Sequence, residues 1–188
     1  AHYAAPFVSG KDSLNNEWVD CDDTRRSVPP TLVITAVGCV PDARIVVGAD
    51  AKEVGNLLVV LGPTASQWCG SHAARVVEAI GTIVPAPDSA APQRYAAVHQ
   101  LMKAGILRAC HDPSEGGLAV AVAEMLIGGR LGARMHAPPS GIDAHTWWFA
   151  ESPARLIVEI HPSNLDAVQA ALADDVHVVA TLTSEATL

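Results

Sequence analysis

The stretch CHDPSEGGLAVAVAEM, residues 110–125, places a polar turn directly before an apolar helical pattern. The preceding ILRAC predicts a short β-strand, so the chain passes here from strand through turn to helix. Other strand and helix patterns alternate along the chain, although the first strands follow one another without a helix between them. These patterns predict an α+β fold, with a mixed β-sheet and helices packed on its faces.

The composition limits the possible partners. The 188 residues are 49% hydrophobic, enough for a core, and carry a net charge of −8, which disfavours nucleic acid and anionic membrane surfaces. No apolar run is long enough to cross a bilayer. The chain has 4 cysteines without a CxxC pair, so we expect a reduced, cytoplasmic protein. It lacks a starting Met, and we expect it to be part of a longer polypeptide.

Several segments have clear secondary-structure signals. The segments TLVITAVGCV (31–40), NLLVVLG (56–62) and ARLIVEI (154–160) predict buried strands, and the polar residues 11–30 predict a loop and linker. Glu151 and Arg155 flank the last of these strands, where we expect an edge salt bridge rather than a ligand site. Trp147, Trp148 and Phe149 form either a docking face for another domain or a core patch.

The turn of the opening stretch has two interpretations. Ser114, Glu115, Gly116 and Gly117 begin the helix, where free backbone N–H groups can bind a phosphate that the glycines leave room for. Asp112 supplies a hard oxygen ligand for a Mg²⁺ that accompanies a nucleotide. The alternative is a capped core helix, with Ser114 as N-cap and the glycines allowing close packing. A Cys110–His111–Asp112 catalytic trio is disfavoured, since neighbours on a strand point to opposite faces.

A second polar loop, FVSGKDSLNNE, spans residues 7–17. Gly10 permits a tight turn, Lys11 offers a charge for phosphate, and Ser13 adds a donor. The spacing is not that of a P-loop, and a solvated polar turn is the alternative.

Taken in order, SGKDSLNNE, SVPPTLVITAVGCVPDAR, GNLLVVLG, CHDPSEGGLAVAVAEM and ESPARLIVE resemble the C-terminal part of the phosphoribosylformylglycinamidine synthases. These enzymes belong to a superfamily with aminoimidazole ribonucleotide synthetase, selenophosphate synthetase and thiamine-monophosphate kinase. The resemblance implies an ATP-dependent C–N ligase of purine biosynthesis. ATP phosphorylates the amide oxygen of formylglycinamide ribonucleotide, and ammonia from glutamine displaces the phosphate.

The resemblance also implies a division of the chain. Residues 1–20 end a preceding N-type domain, 21–30 are a linker, and 31–188 form a domain like the C-terminal domain of aminoimidazole ribonucleotide synthetase. Ser9, Gly10, Lys11, Asp12 and Ser13 resemble the loop that binds the ribonucleotide phosphate. Asp112 resembles a Mg²⁺ ligand, beside Ser114, Glu115, Gly116 and Gly117 as the nucleotide-binding turn for ATP or a structural ADP. Glu115 departs from the Asp that many members have there.

The resemblance names partners that this chain does not contain. They are the preceding N-type and first-repeat domains and a glutaminase domain or subunit. No catalytic residue is assigned here, and we expect the isolated chain to be inactive. Two alternatives remain open: another ATP-using synthetase or kinase of the superfamily, and a non-catalytic nucleotide-binding or structural domain.

Overall fold

A computed structural model describes residues 3, 5–11, 16–29, 31–77, 82–172 and 176–185. The chain divides into two compact units, Ala1–Pro41 and Asp42–Leu188. Within the described residues, no helix is both long and apolar enough to cross a membrane.

Among its described residues, the first unit contains one small hairpin. Strands β1 (Glu17–Val19) and β2 (Arg25–Ser27) pair antiparallel, and Arg25 Nη1 lies 2.8 Å from Glu17 Oε2. The hairpin falls inside the segment for which the polar sequence predicts only loop and linker, and that prediction is wrong for these six positions.

The predicted buried strand over residues 31–40 is also wrong. This segment has no strand in the described structure, and Leu32 and Val37 are 84% and 94% exposed. The physical reason is pairing, because an apolar run becomes a buried strand only beside a partner strand. Among the described residues no strand pairs with it, so its β-branched side chains face solvent.

The second unit is built on a five-stranded sheet whose described pairings are all antiparallel. Its strands, in the order β4-β6-β3-β7-β5, are numbered along the chain as β3 (Leu57–Leu61), β4 (Leu107–His111), β5 (Gly132–Met135), β6 (Leu156–Ile160) and β7 (Val176–Thr183). The predicted α+β class is confirmed, with antiparallel pairings throughout the described sheet where a mixed sheet was expected, and the apolar runs at 56–62, 106–110 and 154–160 coincide with strands.

Helices cover both faces of this sheet. They are α1 (His72–Val77), α2 (Ala91–Lys103), α3 (Gly117–Gly129), α4 (Ala144–Phe149) and α5 (Leu165–Leu172). Alternate residues of β3 divide between two core clusters, with Leu58 in one and Val59 in the other. The first cluster includes side chains of α3 and α4, and the second includes side chains of α2 and α5. Burial on both sides explains why β3 is apolar at every position.

One buried carboxylate fixes the chain segment that leads into β3. Glu159 of β6 is fully buried, and its oxygens accept hydrogen bonds from the backbone N–H groups of Lys52 and Glu53, at 2.7 and 3.0 Å. Asn56 Nδ2 donates a third bond of 2.7 Å. The three donors satisfy the charge that the core surrounds.

Candidate functional site

The turn between β4 and α3 depends on two glycines. Gly116 and Gly117 have φ values of +81° and +68°, the left-handed region that side chains avoid. A Cβ on Gly117 would lie 2.7 Å from the carbonyl oxygen of Ala150, and one on Gly116 would collide with Val120. The close-packing interpretation of these glycines therefore has direct structural support.

The backbone donors of this turn have partners inside the protein. The N–H of Gly117 donates to Ser114 O at 3.1 Å, and the N–H of Gly116 donates to Glu151 Oε1 at 2.8 Å. The same Glu151 oxygen accepts the N–H of His72, also at 2.8 Å. The expectation that the glycine N–H groups are left uncovered is thus wrong in this structure, because a carboxylate and a carbonyl of the protein occupy them. The nucleotide-binding role of the turn stays a prediction.

Asp112 begins the turn immediately after β4. Its side chain is 73% exposed, and the Ser114 hydroxyl donates to Asp112 Oδ2 at 3.3 Å. No group of three or more His, Cys, Asp or Glu residues among the described residues could hold a metal ion. A cage made only of these protein side chains is therefore excluded for that part of the chain. One carboxylate does fit a Mg²⁺ whose remaining ligands are phosphates and water, which is the usual binding mode of this ion.

His111 lies between two carboxylates. Its Nε2 is 2.9 Å from Glu124 Oε2 of α3, and its Nδ1 is 3.5 Å from Asp112 Oδ1. Cys110 instead packs against the second core cluster, and burial raises the pKa of its thiol to about 11. A thiol with so high a pKa is a poor nucleophile at neutral pH, which agrees with the rejection of a Cys110–His111–Asp112 trio.

The turn borders a cleft of about 370 Å³. Asp112, Ser114 and Glu115 line it from one side, and the loop between α4 and β6 lines it with Glu151 and Arg155. The cleft thus brings Asp112, the predicted metal ligand, together with two of the four predicted nucleotide-binding residues. It also includes Glu151, whose carboxylate accepts the hydrogen bond from the Gly116 N–H.

Arg155 is 1% exposed, yet it forms no ion pair in the part of the chain that the structure describes. Its guanidinium donates to Thr64 Oγ1 at 3.0 Å and to the carbonyl oxygens of Ala150 and Ser152. Burial lowers its pKa to about 10, so it remains charged at neutral pH. The expected Glu151–Arg155 salt bridge is wrong, since Glu151 accepts backbone N–H groups instead.

Sequence reasoning missed how these two loops meet. The Glu151 carboxylate contacts Gly116 across 35 residues of chain, and Arg155 reaches Thr64 across 91. The polar ESPAR loop between the aromatic stretch and the strand was the available signal. Arg155 is the charged residue at the end of this loop, and its burial in the structure makes it part of the site.

A second, apolar pocket of about 700 Å³ opens beside Gly116. Val76, Val77, Val120 and Phe149 contribute to its walls. Of the aromatic stretch, Trp147 belongs to the first core cluster, whereas Phe149 is partly exposed at this pocket. The core interpretation is thus supported for Trp147, and the docking role of the stretch stays a prediction.

The predicted substrate loop lies in the first unit. Ser9, Gly10 and Lys11 are exposed there, and Asp12 and Ser13 lie outside the described residues. A Cβ on Gly10 would meet no atom within 4 Å, so no close packing requires this glycine. Its phosphate-binding role stays a prediction.

Comparison with known proteins gives this geometry a family context. The family model described as AIR synthase related protein, C-terminal domain, matches residues 53–188. The phosphoribosylformylglycinamidine synthase subunit PurL of Rhodopseudomonas palustris (strain TIE-1) is 36% identical over 172 residues, which are 89% of this chain and 22% of that protein. The chain therefore spans less than a quarter of the length of this relative. The resemblance drawn from the ordered motifs is confirmed.

Solved structures share the fold. Thermotoga maritima PurL complexed with FGAR is 21% identical with a TM-score of 0.65, and the match covers 76% of this chain and 26% of that one. The same protein complexed with ATP is 18% identical with a TM-score of 0.58, covering 76% and 24%.

Proposed function

Since the chain belongs to the AIR synthase related protein, C-terminal domain family, we propose that it is the C-terminal domain of a phosphoribosylformylglycinamidine synthase. The complete protein would be an ATP-dependent C–N ligase that converts formylglycinamide ribonucleotide and glutamine-derived ammonia to the amidine. The ordered sequence motifs support this activity, as does the PurL relative that matches 89% of the chain.

Within that enzyme, the cleft between the Asp112 turn and the ESPAR loop would bind the phosphates of ATP or of a structural ADP, with Mg²⁺. The observation that carries this proposal is the convergence of Asp112, Ser114 and Glu115 on a cleft that Arg155 also lines. A buried guanidinium without an acidic partner favours an anion nearby, and the exposed Asp112 carboxylate favours a cation. A magnesium-phosphate group supplies both charges.

Each group of the cleft would have a separate task. Asp112 would hold the Mg²⁺, which neutralises phosphate charge when bound. The Ser114 hydroxyl would donate to a phosphate oxygen, and Glu151 would hold the turn in place through its bonds to Gly116 and His72. None of these groups is assigned to the reacting atoms, so the chain contributes binding and would be inactive alone.

The remaining assignments follow from the family resemblance. Ser9, Gly10, Lys11, Asp12 and Ser13 would bind the ribonucleotide phosphate as the end of an N-type domain over 1–20. The linker over 21–30 would lead to the C-terminal domain over 31–188. The partners would be the preceding N-type and first-repeat domains and a glutaminase domain or subunit. The described structure has free, exposed thiols at Cys21, Cys39 and Cys69, which favour a reducing cytoplasm.

Calorimetric titration with ADP in saturating Mg²⁺ tests the nucleotide site. We expect Asp112→Asn to weaken ADP binding at least about tenfold, because the amide loses the charge that holds the metal. Asp166→Asn, a matched loss of an exposed carboxylate on α5, should bind as the wild type does. Equal affinities for wild type and Asp112→Asn would refute the metal role. If Asp112→Asn abolishes ADP binding while the complete enzyme with the same substitution keeps its turnover, the bound nucleotide is structural and the site is non-catalytic.

A further inference from the structure

The geometry points to His111 and Glu124 as positioning residues for the Asp112 carboxylate. This inference rests on the proposed metal role of Asp112 and adds two side chains to it. Their task is to restrict further the orientation of a metal ligand that is 73% exposed and is otherwise held by the Ser114 hydroxyl at 3.3 Å.

The contacts form one continuous chain of three side chains. Glu124 Oε2 on α3 lies 2.9 Å from His111 Nε2, and His111 Nδ1 lies 3.5 Å from Asp112 Oδ1. The ring is 22% exposed, so the protein confines it on most sides, whereas Asp112 is largely exposed. A confined ring beside an exposed carboxylate limits the directions in which that carboxylate can point.

Glu124 and the central ring of His111 come from elements that pack together. His111 is the last residue of β4, and Glu124 lies in the middle of α3, the helix that the turn begins. The core residues Leu118 and Met125 of α3 anchor that helix on the sheet. The backbone at Glu124 is thereby fixed relative to β4, and the contact of its carboxylate with the His111 ring limits the orientation of the ring beside Asp112.

Such an arrangement has a known consequence for metal affinity. Removing a group that holds a metal ligand in its orientation typically lowers metal affinity by about 10–100-fold, although the group itself does not contact the ion. Glu124 is suited to a clean test, because its side chain is 60% exposed and its loss leaves no cavity. A side-chain contact at that exposure contributes little to folding stability.

The test measures the Mg²⁺ concentration that half-saturates ADP binding to the protein, by calorimetry at a series of Mg²⁺ concentrations. We expect Glu124→Ala to raise this concentration about tenfold, with unchanged ADP affinity at saturating Mg²⁺ and an unchanged unfolding temperature. Glu124→Gln keeps an oxygen that can contact the ring, and it should restore the wild-type value to within about twofold. Asp166→Ala on α5 is the control for loss of an exposed acid.

A double-mutant cycle tests whether the effect passes through the ring. In His111→Gln, the further change Glu124→Ala should have little additional effect, since the link to Asp112 is already broken. Additive effects would overturn the inference, as would a Glu124→Ala variant with normal Mg²⁺ dependence or a Glu124→Gln variant that rescues nothing.

Asp112→Asn separates this inference from the proposed function. If Asp112→Asn impairs binding and Glu124→Ala does not, the metal site stands and the positioning role is wrong. If Asp112→Asn binds normally, the metal role fails and the positioning role fails with it.

Discussion

Gly117 is required by the packing of the fold, whether or not the turn binds a ligand. Its left-handed backbone begins α3, and its missing Cβ leaves room for the carbonyls at the end of α4. The close approach also brings the following Glu151 within reach of the Gly116 N–H. Gly117 therefore sets the distance between the two loops that border the cleft, and Gly116 supplies the N–H that joins them.

Replacing Gly117 with Ala should destabilise the protein by about 2–4 kcal/mol, because strain at positive φ adds to a backbone collision. The new Cβ would lie 2.7 Å from Ala150 O and 3.0 Å from Trp148 O, which are main-chain atoms of the α4 end. Gly105→Ala is the matched control, since Gly105 has φ +70° and open space around it. It should cost only about 1–2 kcal/mol. Urea unfolding measures both, and equal losses would contradict the packing role.

At the scale of elements, the apolar pattern predicted most of the second unit. The run LIVEI becomes β6, buried on both faces, and AVAVAEM lies within α3, where its Ala121, Val122 and Met125 face the core. The pattern failed at 31–40, because it reports the tendency of a segment to be buried and not whether a partner strand exists. It also could not show that Glu151 accepts from the first residue of α1, since loop contacts of that range leave no periodic signal.

The start of α2 supplies a pH-dependent contribution to stability. Asp88 accepts hydrogen bonds from Arg94 Nη1 at 2.6 Å and from Ala90 N at 2.8 Å. The bond from the Arg94 guanidinium, followed by that from the Ala90 N–H, lowers the pKa of Asp88. A carboxyl group with a lowered folded-state pKa stabilises above its unfolded pKa, and this stabilisation is lost as pH falls through the folded value.

We therefore expect Asp88→Asn to cost about 1–3 kcal/mol at pH 7, because the buried Arg94 side chain loses a charged acceptor. The difference from wild type should shrink as pH falls below the usual Asp range and vanish once Asp88 is protonated. Urea unfolding at a series of pH values measures it, with Asp166→Asn as the exposed control on α5. A pH-independent difference would show that the carboxylate charge is not the cause.

At the scale of the molecule, sequence reasoning found the fold class and the turn but not the cleft. The residues of the turn are consecutive in the sequence, so they could be identified from the sequence alone. The cleft needs the α4–β6 loop, whose position follows from sheet order and from the collision-free approach at Gly117. The spacing of apolar residues predicts neither the strand order β4-β6-β3-β7-β5 nor the close approach of the α4 end to Gly117.

The division into two units leads to a prediction about the whole chain. Both core clusters consist of residues from the second unit, while the first unit exposes apolar side chains such as Leu32, Val33 and Val37. A chain containing only 42–188 should therefore keep a cooperative unfolding transition at nearly the wild-type temperature. It should also self-associate less, because exposed apolar segments of high β-propensity promote aggregation.

Differential scanning calorimetry and light scattering at matched concentrations test both parts. A chain lacking only residues 1–11 is the control, because it retains the apolar segment 31–40 and should scatter as the wild type does. A truncated 42–188 that unfolds without a cooperative transition would show that the first unit is needed for the core. If 42–188 and the control scatter equally, segment 31–40 is not the source of association, and the exposed β-branched side chains are harmless at that concentration.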